Sequence, residues 1–467
     1  MQTRRDQLQA YRFQNRRALA ALITGEPNVV DPPMRRLTIT TLSGIMIAVL
    51  ITVGFTVFGL IRPKAGDSWK DAGSIVVDEN SGTSFVYLND KLYPIVNYTS
   101  GVLAMGGTQR AQTVTVTDDD IQGVPRGPQI GIPGLPNSLP DSGSLVSSPI
   151  AACSRQQVVD NDQVGIRVSV QLGGELATRP VAAGDGVLVD TGAGSQSYLL
   201  YDGQRLAVAP GRVATALGYS AATPLQVGRA FIDAVPQGPT LAAPTIPGAG
   251  GPANLAGISV RVGQLITTAG GRSYVALADG KASVTDTQKA LLQTLAIGPG
   301  GTLLDPVSAS ESAVLQLPDS AQWTSISRSL TGLPADVPTL DPTPADNGGV
   351  CAQFSGGNDE PRFTTPASRL PSFQPSSVRE TTTSQRGGAD SVVLPPGRAA
   401  LLAATGASPT VFLVGDSGRK FAASSNELLA GFGYGAGDAT KVPAALLKLI
   451  PSGPALSKTE ALRPVAN

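Results

Sequence analysis

Histidine is absent from all 467 residues. Its absence removes Ser-His-Asp triads, His-ligated metal sites and the side chain that most often moves protons near neutral pH. No G-x-x-x-x-G-K-[ST] phosphate loop occurs either. Aromatic residues are 5% of the chain, and Trp69 and Trp323 are the two tryptophans. A glycan-binding face lined by rings has little to draw on. Nucleic acid is excluded as a partner by the same scarcity, because no basic stripe is interleaved with aromatics. Cysteine occurs twice, as Cys153 and Cys351.

What the chain does have is an uncharged run of 25 residues from Leu37 to Ile61, bracketed by Arg35 and Arg36 before it and Arg62 and Lys64 after it. As a helix it reaches about 37 Å, enough to cross a hydrocarbon core of about 30 Å with some tilt. A cleaved signal peptide fits poorly, since the run is too long, begins late and is followed by no small-x-small site. The preceding segment carries Arg4, Arg5, Arg12, Arg16, Arg17, Arg35 and Arg36 against Asp6, Glu26 and Asp31, which leaves 28 basic and 32 acidic residues beyond it. This bias places the N terminus in the cytoplasm and about 400 residues outside. Both cysteines fall on the exported side. They are expected to form one disulfide, with two buried thiols as the alternative.

Gly 54 and Pro 37 favour many short elements joined by turns. Dense Pro/Gly stretches at Ile121 to Pro149, Pro236 to Pro252 and Leu333 to Gly349 read as connectors between modules. The segment Ser197 to Leu241 aligns without a gap on Phe412 to Leu456: Gly218-Tyr219 falls on Gly433-Tyr434, Pro236 on Pro451, and Gly238-Pro239 on Gly453-Pro454. Each copy opens with a hairpin pattern, Tyr198 to Val208 in the first, and the later copy continues into a helix with Val442, Ala445, Leu446 and Leu449 on one face. Weaker hairpin patterns begin at Ser84 and Ser273. Four small α+β units follow from this, separated unevenly by insertions that hold the two cysteines.

Three runs imitate functional motifs. Gly415-Asp416-Ser417-Gly418 looks like a protease nucleophile but has no base, and the internal alignment puts Ser417 opposite Asp202 in a hairpin turn. Gly433 to Lys441 has the glycines of a nucleotide loop with Thr440 and Lys441 in the wrong order. Asp118-Asp119-Asp120 lacks the alternate ligand spacing of a calcium loop and reads as a solvated turn. No catalytic, cofactor or metal residue is therefore expected.

Thr3-Arg4-Arg5-Asp6-Gln7-Leu8-Gln9-Ala10-Tyr11-Arg12-Phe13, the single span, Gly131-Ile132-Pro133-Gly134-Leu135-Pro136 with Leu139-Pro140, the cysteine pair and Leu449-Ile450-Pro451-Ser452-Gly453-Pro454 together resemble the EccB component of actinobacterial type VII (ESX) secretion systems. The resemblance implies an inner-membrane complex with the EccC motor ATPase, EccD, EccE, further EccB copies and the mycosin protease. It also implies export of WXG100-type proteins and a distorted propeller-like array of four repeats about a central domain.

The expected fold is α+β: one N-terminal transmembrane helix, then an elongated periplasmic domain of four small repeats around a β-rich core. Its expected divisions are 1–36 cytoplasmic, 37–61 membrane helix, 62–110 juxtamembrane and first repeat, 111–185 connector and core with Cys153, 186–249 second repeat, 250–300 third repeat, 301–385 connector and core with Cys351, 386–456 fourth repeat and 457–467 tail.

Thr3 with Asp6 predicts a capping box, and Gly25 with Pro27 a stop, for a helix over Arg4 to Thr24. Its docking residues are Leu8, Tyr11, Arg12, Arg16, Leu19 and Leu22, facing either anionic membrane lipid or, as the resemblance favours, a neighbouring subunit. Thr40, Gly44, Ala48, Thr52 and Thr56 make a ridge of small residues suited to packing against another span. The expected function is structural: anchoring and oligomerising the exported part of a secretion complex. An ATP-hydrolysing component and a membrane-tethered cell-wall-binding module are the alternatives.

Overall fold

The computed structural model describes residues 3–28, 33–61, 68–71, 73–106, 111–137, 139–159, 163–174, 176, 178–253, 255–344, 348–356, 360–366, 387–406, 410–415 and 417–465. Asp31, Arg62, Lys64 and Asp416 lie outside the described residues. The chain divides into two compact units, Met1–Ser68 and Trp69–Asn467.

Among the described residues the first unit is two helices. Helix α1 (Arg4–Thr24) starts where the Thr3 N–H and hydroxyl both donate to the Asp6 carboxylate, at 3.1 and 2.6 Å. It stops at Gly25, whose φ of 72° is open to glycine at no steric cost and whose N–H closes on the Ala21 carbonyl. Helix α2 (Pro33–Ile61) begins on proline, where the missing N–H costs nothing, and contains the apolar stretch Leu37–Val57. Among the described residues α2 is the one helix long and apolar enough to cross a membrane.

Among the described residues the second unit holds five sheets, four of them with one strand order. The first comprises β1 (Ser74–Asp78), β2 (Ser84–Leu88), β3 (Lys91–Pro94) and β4 (Gln112–Val116). The second has β8 (Asp185–Asp190), β9 (Tyr198–Tyr201), β10 (Gln204–Ala207) and β11 (Leu225–Gln226), with β16 (Thr339–Leu340) added to β8. The third has β12 (Leu265–Thr268), β13 (Ser273–Leu277), β14 (Gly280–Val284) and β15 (Val307–Ala309), and the fourth β20 (Ala400–Ala404), β21 (Val411–Val414), β22 (Lys420–Ala422) and β23 (Thr440–Val442). In each, three strands meander antiparallel and the fourth returns in parallel beside the first.

A parallel return needs a crossover, and a short helix supplies it each time: Tyr98–Ala104, Val213–Ala216, Asp286–Leu292 and Glu427–Gly431. A second short helix follows the fourth strand: Asp118–Ile121, Arg229–Ala234, Glu311–Leu315 and Ala444–Leu449. Asp118 to Asp120 thus open a helix rather than a bare turn. The Asp120 carboxylate accepts from the Thr117 N–H and hydroxyl at 2.9 and 2.8 Å, the acidic start that a helix N terminus favours.

The fifth sheet is central and runs in the order β19-β6-β5-β17-β18-β7, from β5 (Ile150–Val159), β6 (Gln163–Leu172), β7 (Thr178–Pro180), β17 (Gly349–Phe354), β18 (Arg362–Pro366) and β19 (Ser391–Val393). One buried cluster joins it to the second and fourth sheets through Val170, Leu200, Phe231, Phe354 and Leu402. Another joins the fourth sheet to the first through Val86, Leu103, Leu413 and Phe421, and a third joins the second sheet to the third-sheet helix through Leu199, Leu206 and Leu291. Each such buried leucine or phenylalanine contributes on the order of 2 kcal/mol. Packing therefore links the sheets in the sequence third, second, central, fourth, first. No sheet closes on itself among the described residues.

Candidate assembly surfaces

On α1, Leu8, Tyr11, Leu19 and Leu22 are exposed, as are Arg12 and Arg16. Ala20, one turn beyond Arg16, is the buried residue among those described in α1. Leu22 is 86% exposed, far more than an apolar side chain with a partner.

Along α2 the Thr40 and Thr52 hydroxyls donate one turn back to the carbonyls of Leu37 and Ala48, at 3.0 and 2.7 Å, and Thr56 donates to Thr52. Those donors are therefore satisfied inside the helix, as hydrocarbon requires, and the ridge shows methyl groups and the bare backbone of Gly44 outward. Apart from its own helix backbone, nothing among the described residues lies within 4 Å of a β-carbon built on Gly44.

A feature that the sequence reading did not find recurs at the outer edge of the four similar sheets. A proline carbonyl accepts from the third strand and the residue two further on donates back to it. In the first sheet Leu92 N–H meets Pro125 O and Gly127 N–H meets Leu92 O, both at 2.9 Å. Arg205 is held by Pro236 and Gly238, Lys281 by Pro318 and Ser320, and Lys420 by Pro451 and Gly453, all at 2.8–3.0 Å. Proline fits because its carbonyl is used and its missing N–H is not needed. Three of the four segments read Pro-x-Gly-Pro, and the glycine is required at 127 and 453, where a β-carbon would collide with the rings of Tyr93 and Phe421, while at Gly238 it would displace the end of the Gln204 side chain.

Five residues after each first proline come Ile130, Leu241, Trp323 and Leu456. Ile130, Leu241 and Leu456 make a second pair of ladder bonds to the same third strand, which blunts an edge that would otherwise invite pairing with another chain. In the third sheet the segment turns into the helix Trp323–Ile326, and Trp323 packs against the clusters of the second and third sheets.

Beside each lock a cation lies over the aromatic ring of the second strand. Arg126 lies over Phe85 at 4.7 Å, Arg205 over Tyr198 at 5.7 Å, Lys281 over Tyr274 at 5.9 Å and Lys420 over Phe412 at 5.9 Å from the ring centre. In the first sheet the lock residue is Leu92 and the cation comes from the bridged partner, Arg126. Lys420 also donates to the Ile450 carbonyl at 2.6 Å near the end of the helix Ala444–Leu449, and burial lowers its pKa.

Two aligned tyrosines hold the Pro/Gly connectors. The Tyr219 phenol donates to Pro338 O at 2.8 Å, and burial, followed by the nearby Tyr201, raises its pKa. Tyr434 donates to Pro140 O, and burial with the Asp141 charge pushes its pKa up to about 12. Cys153 in β5 stands opposite Cys351 in β17 and the two are bonded, with Cα atoms 4.0 Å apart and 198 residues between them in sequence. Both are buried, so the bridge is internal bracing of the central sheet.

Gly415, Ser417 and Gly418 lie between β21 and β22, where Gly418 N–H donates to Gly415 O at 2.9 Å. The run Gly433 to Lys441 leads into strand β23, whereas a nucleotide loop needs a helix N terminus at its end to receive phosphate.

These features define a membrane-anchored protein whose second unit is a disulfide-braced array of small α+β sheets. The chain belongs to the family described as type VII secretion system ESX-1, transport TM domain B (EccB), whose model matches residues 1–465. It is 32% identical over 323 residues to the ESX-3 secretion system ATPase EccB3 of Mycobacterium tuberculosis, a match that covers 67% of this chain and 56% of that protein. The fold is similar to a chain in the structure of an intact ESX-5 inner membrane complex, with a TM-score of 0.66, 24% identity and coverage of 100% and 96% of the two chains. It is also similar to the EccB3 dimer from the ESX-3 core complex, with a TM-score of 0.65, 22% identity and coverage of 83% and 99%.

Proposed function

We propose that this chain is a structural subunit of a type VII (ESX) secretion membrane complex, anchoring and oligomerising its periplasmic part for export of WXG100-type proteins. The observation that carries this is the family match, which runs through the span and all five sheets together. The N terminus faces the cytoplasm by its arginine excess, and the sheets stand outside, where a buried cystine is stable. The four sheets are copies of one β-β-β-α-β-α-Pro unit arranged about the central sheet as a distorted propeller; the divisions 186–249 and 386–456 frame the second and fourth copies, while the first copy runs past 110 to β4 and the third past 300 to β15. Further copies of this chain, an EccC-type ATPase, EccD, EccE and a mycosin are the partners. The ridge of α2 packs on a neighbouring span, and α1 is a docking helix.

The chain acts without chemistry of its own. The name of the ESX-3 relative includes the word ATPase, so hydrolysis is the reading to test against this one. Detergent-extracted complexes should contain the chain in fixed stoichiometry with the ATPase subunit, and Lys441→Ala should leave their ATP turnover unchanged. A chain that hydrolyses ATP alone and loses this with Lys441→Ala would reverse the assignment. Recovery on peptidoglycan without membrane partners would favour a cell-wall tether.

A further inference from the structure

The stripe on α1 is the exposed apolar feature that the reading above leaves without a defined occupant. Along one flank of Leu8, Leu19 and Leu22 run Arg5, Arg12 and Arg16, at helical positions within a narrow arc. All three arginines are exposed, and none meets a carboxylate among the described residues. The nearest acid in the helix, Asp6, is already held by Thr3. Arg17 points elsewhere, donating to the Pro27 carbonyl at 3.4 Å and lying over the Phe13 ring. The segment therefore offers an aliphatic stripe with three guanidinium groups beside it that meet no carboxylate among the described residues.

Chain length fixes where that surface can be. Eight residues, 25–32, separate α1 from α2, and Leu37 begins the apolar stretch. Fully extended, the eight span about 27 Å, so the end of α1 stays within about 30 Å of the headgroup layer. We propose that α1 lies in that layer, with Leu8, Leu19 and Leu22 among the upper acyl carbons and Arg5, Arg12 and Arg16 on the phosphates of anionic phospholipid. The occupant is anionic lipid because the exposed charges flanking the stripe, Arg5, Arg12 and Arg16, are all of one sign and the planar guanidinium matches phosphate in two-point contact. The inference rests on the single-span reading but not on which way the N terminus faces.

The full chain is reconstituted in nanodiscs of neutral phosphatidylcholine or with about 30% phosphatidylglycerol. Both native cysteines are in the disulfide, so Ala18→Cys provides a unique thiol for a fluorophore on the stripe. Quenching by lipids spin-labelled on the upper acyl chain reports immersion. Strong quenching is expected in the anionic discs, and replacing all three arginines by glutamate should weaken partition by about 100-fold or more, at about fivefold for each lost cation. Raised salt should act in the same direction. Equal quenching in neutral and anionic discs would overturn the proposal. So would immersion or immobilisation that appears only when partner subunits are added. Because both leaflets of a disc are alike, failure here leaves the topology and the secretion role standing.

Discussion

The phenol of Tyr434 donates to the carbonyl of Pro140 at 2.6 Å, across 294 residues of sequence. It fastens a proline-rich connector to the fourth sheet at a buried point, and Tyr219 does the same for Pro338 in the second. Replacing either by phenylalanine leaves the ring and strands one carbonyl. Each change should cost about 1 kcal/mol, and the pair about 2 because the sites share no partner. Urea unfolding of the unit beginning at Trp69 measures this.

The same phenols set an alkaline limit. Tyr434 in the folded chain releases its proton only near pH 12, against 10.0 for an ordinary tyrosine. Between those values the unfolded chain binds fewer protons than the folded one, so stability is intact below pH 10 and falls as pH rises toward 12. The Tyr219→Phe, Tyr434→Phe double variant should show a shallower fall over that window in urea midpoint against pH.

Gly453 is expected to tolerate no side chain. A β-carbon there would enter the ring of Phe421, which is fully buried, and the lock on Lys420 would have to move with it. Gly453→Ala should destabilise by about 1–3 kcal/mol, whereas Gly437→Ala, which meets nothing within 4 Å, should change little. Thermal unfolding of the two variants side by side gives the comparison.

The cystine links strands 198 residues apart. In the chain-entropy account, opening a loop of that length costs about 5 kcal/mol. Replacing both cysteines by alanine should lower the urea midpoint of the unit strongly, while replacing one should also yield mixed disulfides on non-reducing gels.

The apolar span, the mixed α+β class and the hairpins at Ser84, Tyr198 and Ser273 were legible because each has a local signal: an uncharged run, or apolar strands either side of Asp-Gly or Asn-Asp. The capping of α1 was legible at Thr3 and Asp6 for the same reason. What escaped was non-local. The fourth strand of each sheet pairs in parallel from across a helix, and Gln112–Val116 or Leu225–Gln226 have no turn to announce them. The edge locks had a visible trace in Pro-x-Gly-Pro at 125, 236 and 451, but its meaning depends on Leu92, Arg205 and Lys420 lying opposite. Arg126 over Phe85 joins residues 41 apart, a pairing that no spacing rule predicts.

The secretion role requires the N terminus and the five sheets to lie on opposite sides of the membrane. Thr3→Cys and Glu427→Cys variants of the full chain, treated in intact cells with a membrane-impermeant maleimide, test it directly. Labelling is expected at position 427 before lysis and at position 3 only after it. Labelling at position 3 in intact cells, with 427 protected until lysis, would contradict it.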